Sequence, residues 1–414
     1  MVDVQWAFIS VVTASLAHFV LRVVLGRELG AEGLGIYTLA FTIYLLGQQF
    51  AAFGIGSALT QYVAEHLDDH LTIRKLVSSG MTSSIITGTL MGVVLFLLSP
   101  VIANSLFHTP ELENMIQLVA FSFPFIAIQK AVLGTLNGFR KMSRFAYLQI
   151  AQNVSVVVIS IILVGSLHMG ELGATVGLVG PTIIVSLLSP LLIREHLRRD
   201  GSHWDVTALK ITTIFGLYVV LGNAISFLNT QINSILIGYY MTPTEVGIFA
   251  VAALLAQVLT LMPSAVQRVT APSMAAKYGK GDMEGVRRIY YSTLKKSFLI
   301  TIICASIIAV LGPYIITFFF TNEYSTAYEP LLILLLGYVF AASFGAVGAT
   351  LSSIGRVNVP FKIGVICTIL NIALNVLLIP HMGMNGAAIA TAVTLILNFV
   401  ITIWAIQIYL RRVH

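Results

Sequence analysis

Long apolar runs separated by short polar breaks dominate this chain, and each run is at least near the roughly 20 residues a helix needs to cross a bilayer. Taken in order, the first half contains Val4–Leu25, Leu34–Ala64, Leu76–Leu106, Met115–Phe139, Ala146–Leu167 and Gly173–Ile193. The second half contains Ile211–Ile237, Val246–Ala275, Ser297–Phe320, Pro330–Ile354, Phe361–Ile379 and Gly386–Leu410. The pattern predicts an all-α polytopic membrane protein with twelve transmembrane helices. Several runs exceed the crossing length, which predicts tilt or protrusion beyond the hydrocarbon.

The runs repeat. RVVLGRELGAEGLGIY at Arg22–Tyr37 has a weaker echo, GYYMTPTEVGIF at Gly238–Phe249, with Gly26 on Gly238, Gly35 on Gly247 and Tyr37 on Phe249, an offset of 212. MGELGA at Met169–Ala174 matches MGMNGA at Met382–Ala387 in four of six positions, an offset of 213. Two echoes at nearly one offset predict an internal duplication. The halves are two pseudo-symmetric six-helix bundles, residues 1–205 and 206–414. Six is even, so both halves share one orientation in the membrane. Such repeats mark transporters whose halves move around a site near the midplane.

Composition agrees: 57% of the 414 residues are hydrophobic and 10% charged, against about 25% charged in an ordinary soluble domain. The net charge of +6 is explained by topology rather than by an acidic partner. With the N-terminus inside, the cytoplasmic loops of the first half hold nine basic residues, from Arg74 to Lys210, and those of the second half ten, from Lys277 to Arg412. Only Arg22 and Arg27 lie at the outside end of a span, so the positive-inside rule places both termini in the cytoplasm. The first run carries no small-residue cleavage site, so no removable signal peptide is expected. Cys304 and Cys367 both lie in apolar runs and build neither a disulfide framework nor a metal site.

The polar groups at membrane depth carry the chemistry. Lys130 lies ten residues before Arg140, about 15 Å along a helix from its cytoplasmic end. Arg268 lies between Pro263 and Pro272, and His18 and Arg22 are one turn apart on one face of the first run. A bare charge facing lipid is costly, so each is expected to face protein or a wet cavity, unless Arg22 and Arg268 snorkel to an interface. At the repeat offset these positions fall on Thr230 (His18), Ser234 (Arg22), near Ser343 (Lys130) and Gly56 (Arg268), so none of the charges is duplicated. All 17 acidic residues fall in loops or at the N-terminus, which leaves a cationic membrane interior suited to an anionic headgroup. It also leaves no intramembrane carboxylate for drug–cation antiport.

Asn223, Ser226, Thr230 and Asn233 form a polar stripe on the seventh run, and Gln149, Gln152 and Asn153 cluster on the fifth. These groups either bind sugar hydroxyls along a cavity or hydrogen-bond between helices. His18 is the only histidine well inside a run and is the candidate proton carrier if transport is proton-coupled; the alternative is a hydrogen-bonded core histidine. No phosphate-cradling loop, nucleophile elbow or metal cluster appears, no loop is long enough for a catalytic domain, and nucleic acid is not an expected partner. No enzyme, cofactor or metal is expected.

Twelve helices fit two large transporter classes. The major facilitator class carries a Gly-x-x-x-Asp-Arg-x-Gly-Arg-Arg-like loop after its second span, where this chain reads EHLDDHLTIRKL. Arg27 to Tyr37 instead resembles the R-x-L-G-x-x-x-[FY]-G-x-[YF] loop of the polysaccharide transporter and oligosaccharide flippase family, within the multidrug/oligosaccharidyl-lipid/polysaccharide exporter superfamily. Gly54-x-Gly56 with Ala58, Leu59 and Tyr62, and Leu136-Asn137-Gly138-Phe139-Arg140-Lys141, extend the resemblance. It implies a MATE-like V of the two bundles. It also implies translocation of a polyprenyl phosphate- or diphosphate-linked oligosaccharide to the outer face of the plasma membrane by alternating access. Lys130, Arg268 and Arg22 would then form a cationic cavity, lined by Asn223, Ser226, Thr230, Asn233, Gln152 and Asn153. The expected partners are this substrate, membrane lipid and glycan-assembly proteins, around a monomer. The alternative is a drug or metabolite exporter of the same superfamily.

Overall fold

The computed structural model describes residues 2–197, 206–356 and 358–411. Arg198, Arg199 and Arg412, which the charge count assigns to the cytoplasmic side, lie outside them, as does the expected boundary at residue 205. Among the described residues every regular element is helical, and ten helical stretches are long and apolar enough to cross a membrane.

Two of the ten contain a break at one glycine. Helix α1 (Val2–Ala52) is interrupted at Gly30, with φ 70° and ψ −174°. Only glycine adopts this conformation cheaply, and the other glycines of the RELGAEGLG stretch remain helical. The expected glycine-rich loop is therefore a one-residue turn. At the equivalent place in the second half, α7 (Val206–Tyr240) gives way to α8 (Pro243–Gln257) through Thr242, which is extended at φ −99° and ψ 164° and so turns the chain without the positive φ of Gly30. Thr242 and Glu245 there close a capping box, with the Thr242 N–H donating to Glu245 Oε2 at 3.1 Å. The two members of the second echo do turn alike. Gly170 before α6 (Gly170–Leu188) has φ 61°, and Gly383, which interrupts the long helix Asn358–Arg411, has φ 57°. The second echo is thus written in backbone conformation as well as in letters, whereas the first keeps only the position of the turn.

The second apolar run is not one helix. After Ala52 the chain passes through Phe53 (φ 43°) and Gly54 (φ 66°) before α2 (Ile55–Glu65) begins. Apolar composition runs unchanged across the break, which is why hydropathy reads the run as continuous. Helix α3 (His70–Pro100) is capped by Asp69, whose Oδ1 accepts from the Leu71 and Thr72 N–H groups at 3.1 and 3.0 Å. In α4 (Glu111–Gly138), Pro124 cannot donate to the Ala120 carbonyl. Gly92 of α3 packs there instead, so close that a Cβ would lie 2.8 Å from that oxygen. Helix α5 (Met142–Ile161) follows and packs on α1 and α6.

Two compact units result, Met1–Phe227 and Leu228–His414. The division falls inside α7, because its first part packs on the second-run break. The Phe53 carbonyl lies where a Cβ on Gly216 would stand, and Phe215 meets Tyr62 edge-on at 5.8 Å. In the first unit, one core gathers Val63, Ile73, Val77, Val132, Leu136 and Ile193. In the second, Met274, Val286, Tyr290, Leu351, Cys367 and Ile406 do the same.

Candidate functional site: the Lys130 cavity

The break in the second run opens a polar cavity of about 260 Å³ in the first unit. Helices α2 and α4 meet beside it on glycine. A Cβ on Gly56 would lie 2.5 Å from the Lys130 carbonyl oxygen, and one on Gly134 would lie 2.0 Å from the Gly56 carbonyl oxygen. Thr60 Oγ1 donates across this contact to the Gly134 carbonyl at 3.0 Å. Side chains any larger would hold α2 and α4 apart and fill the space that Lys130 occupies.

From α1 come Gln48, Gln49 and Ala52; from the break and α2, Gly54, Gly56, Ser57 and Thr60. Helix α4 supplies Lys130, Leu133, Gly134 and Asn137, α5 supplies Phe145 and Gln149, and α7 supplies Asn223. Lys130 is the one charged group in the lining. It is half-buried and, among the described residues, makes neither a hydrogen bond nor an ion pair. Gln48, Asn137 and Gln149 likewise make no side-chain hydrogen bond among them, whereas Asn223 Nδ2 donates to Gln49 Oε1 at 3.3 Å. An unpaired ammonium surrounded by unused amides can hold an anion and hydrogen-bond neighbouring hydroxyls. The first turn of α2, with Gly54 rather than a capping side chain before it, adds backbone N–H groups at the same place.

The expected site residues separate into groups. Lys130 and Asn223 line the cavity. Gln152 does not. Its Oε1 accepts from the buried Gln129 at 2.8 Å and its Nε2 donates to Thr182 at 3.2 Å, tying α4, α5 and α6 together. Asn153 donates to the Gln149 carbonyl one turn back, at 2.9 Å. In the second unit, Asn233 donates to Thr391 at 2.8 Å, and Thr368 donates to Asn229 at 2.8 Å. Gln152, Asn229 and Asn233 thus bond between helices, while Asn153 bonds within its own. Ser226 and Thr230 are exposed on α7 and lie outside the cavity lining.

Among the cations, Arg22 is half-buried and His18 exposed, and His18 packs its ring on Phe41 with centroids 5.9 Å apart. Neither lines the cavity. Arg268, on α9 (Leu261–Gly279), is exposed in the second unit. The repeat counterpart of Lys130 is uncharged: Ser343 is fully buried and shares a 2.6 Å hydrogen bond with Thr301. Absent from the sequence expectation were Gln48, Gln49, Ser57 and Thr60. A paired glutamine one to two turns before Phe-Gly-x-Gly was their signal, and Asn137 stood unread inside the Leu136–Lys141 motif.

Comparison with known proteins agrees with this architecture. The family described as polysaccharide biosynthesis protein matches residues 2–277, and the family described as MatE matches residues 219–377. A putative O-antigen transporter of Shigella flexneri is 22% identical over 390 residues, covering 92% of this chain and 91% of that protein. A probable low-salt glycan biosynthesis flippase of Haloferax volcanii, Agl15, is 22% identical over 91% of this chain and 76% of its own. Among solved structures, the lipid II flippase MurJ in an inward closed conformation superposes with a TM-score of 0.80 at 16% identity, over 98% of this chain and 87% of that one. With two thirds of its length matched, the chain belongs to the polysaccharide biosynthesis protein family of membrane transporters.

Proposed function

We propose that this protein is a flippase, moving a polyprenyl phosphate- or diphosphate-linked oligosaccharide from the cytoplasmic to the outer face of the plasma membrane by alternating access. The observation that carries the reading is Lys130, an unpaired cation in an amide-lined cavity whose lining contains no carboxylate. The ammonium binds the phosphate, and Gln48, Asn137 and Gln149 hydrogen-bond the sugar beside it. Flippase and O-antigen transporter are the names of relatives that align over nearly the whole chain. Arg268 is the candidate anion contact of the second unit, and the protein works as a monomer without cofactor or catalysis.

The ten apolar stretches make twelve crossings in this reading, because the helices broken at Gly30 and Gly383 each cross twice. Both termini are then cytoplasmic. Cysteines placed at His108, His168, Glu245 and Glu323 label from outside, and those at Asp69, Arg198 and Asp282 only from inside. Labelling of Asp69 and His108 from one face contradicts the topology.

Export of a drug or metabolite is the second reading, favoured by the MatE match over residues 219–377. Reconstituted vesicles separate the two. Translocation of a lipid-linked oligosaccharide extracted from the source cells supports the first. Accumulation of a cationic dye without lipid translocation supports the second.

A further inference from the structure

Resting on the flippase reading, we propose that the first unit holds two successive stations for the phosphate of the substrate: the Lys130 cavity, and a separate outer station at Arg22. Helical register separates them. The His18 ring lies against Phe41, and the two parts of α1 run antiparallel, so Arg22, one turn after His18, stands level with Tyr37. The stacked rings of Tyr37, Phe41, Tyr44 and Phe123 then lead along the helix to Gly47, which packs on Phe123. Lys130 lies seven residues beyond Phe123, with its carbonyl against Gly56.

From Tyr37 to the break at Phe53 is sixteen residues, or about 24 Å along the axis. That is more than a lysine and an arginine reaching toward each other can close around one phosphate. The two cations therefore cannot share an anion, and a phosphate carried outward meets them in turn.

Arg22 is equipped to receive it. It is half-buried and makes no hydrogen bond or ion pair among the described residues. His18 on the same face is exposed, while Leu21 and Leu25 point into the core. A guanidinium forks two parallel hydrogen bonds to phosphate where an ammonium makes point contacts. Arg22 thus draws the phosphate onward from Lys130. The aromatic column between the stations is closed ring on ring and serves as wall rather than as a sugar platform.

The test uses single cysteines in a background of Cys304→Ser and Cys367→Ala, with Ser57→Cys reporting the cavity and His18→Cys the outer station. Both positions are exposed. Thiol labelling of the detergent-purified full chain is timed with and without inorganic diphosphate. At about ten times its Kd, diphosphate slows labelling about tenfold wherever it binds beside the reporter. The expected result is slowing at both reporters. Lys130→Ala abolishes it at Ser57→Cys alone, Arg22→Gln abolishes it at His18→Cys alone, and Arg22→Lys partly restores it. Loss at both reporters from either substitution means one shared site and overturns the proposal. Slowing at Ser57→Cys with none at His18→Cys removes the outer station and leaves the flippase reading standing. Absence of slowing at both reporters overturns the cationic-cavity reading itself.

Discussion

Replacing Gly134 by alanine tests the contact that makes the cavity. The added Cβ would stand 2.0 Å from the Gly56 carbonyl oxygen and 2.6 Å from its carbon. Both are backbone atoms, so no side chain can swing aside, and α2 must move away from α4 by about 1 Å to restore ordinary contact. Overpacking of this kind costs roughly 1–3 kcal/mol. Alanine returns up to about 1 kcal/mol through helix propensity, because Gly134 lies inside α4. With that return the net expectation is a loss of up to about 2 kcal/mol. The Thr60 bond to the Gly134 carbonyl, now 3.0 Å, is stretched with it. Gly364→Ala is the control, since nothing lies within 4 Å of its Cβ position. Thermal unfolding of the purified protein and flipping in vesicles are the assays. Gly134→Ala lowers both, whereas Gly364→Ala holds or raises the midpoint. A Gly134→Ala protein as stable and as active as wild type would show that α2 and α4 do not approach on these glycines.

Two further outcomes follow from the polar groups. Gln152→Leu strands the buried Nε2 of Gln129 and is expected to cost about 1–3 kcal/mol. In thermal unfolding it resembles a core mutant, while the Kd for diphosphate at the cavity is unchanged; a weakened Kd at full stability would return Gln152 to the binding surface. His18→Gln keeps most transport, and an imposed potential changes the rate more than an imposed pH gradient does. Arg22 one turn away opposes a second positive charge, and an inside-negative potential drives an anion outward by about 2.3 kcal/mol per charge per 100 mV. Loss of both transport and the pH response in His18→Gln would make His18 a proton carrier.

The all-helical, many-spanning character could be read from residues alone, because apolar runs of bilayer length are a strong one-dimensional signal. The echoes at Gly30 and Gly170 were legible for the same reason, since each marks a turn between helices. The break at Phe53–Gly54 was not legible. Two residues with positive φ leave hydropathy untouched, and only the neighbouring backbones of Lys130 and Gly216 show why the chain turns there. Depth in the membrane identified Lys130, His18 and Arg22 as unusual, but depth carries no azimuth. Sequence therefore grouped Lys130 and Arg22 in one cavity, whereas only Lys130 of the two lines the cavity of the first unit. Amides posed the same difficulty. Gln149 and Gln152 are three residues apart, yet one faces the cavity and the other the core.

The central claim is that Lys130 binds the phosphate of the substrate, and single-turnover flipping of the native lipid-linked oligosaccharide in vesicles tests it most directly. Losing a hydrogen bond to a charged group costs about 1.5–3 kcal/mol, so Lys130→Ala is expected to slow flipping about 10- to 100-fold. Protein abundance and thermal midpoint stay near wild type, because Lys130 has no hydrogen-bond or ion-pair partner among the described residues. Lys130→Arg, which keeps the charge, retains part of the rate. A Lys130→Ala protein that flips at the wild-type rate would contradict the account.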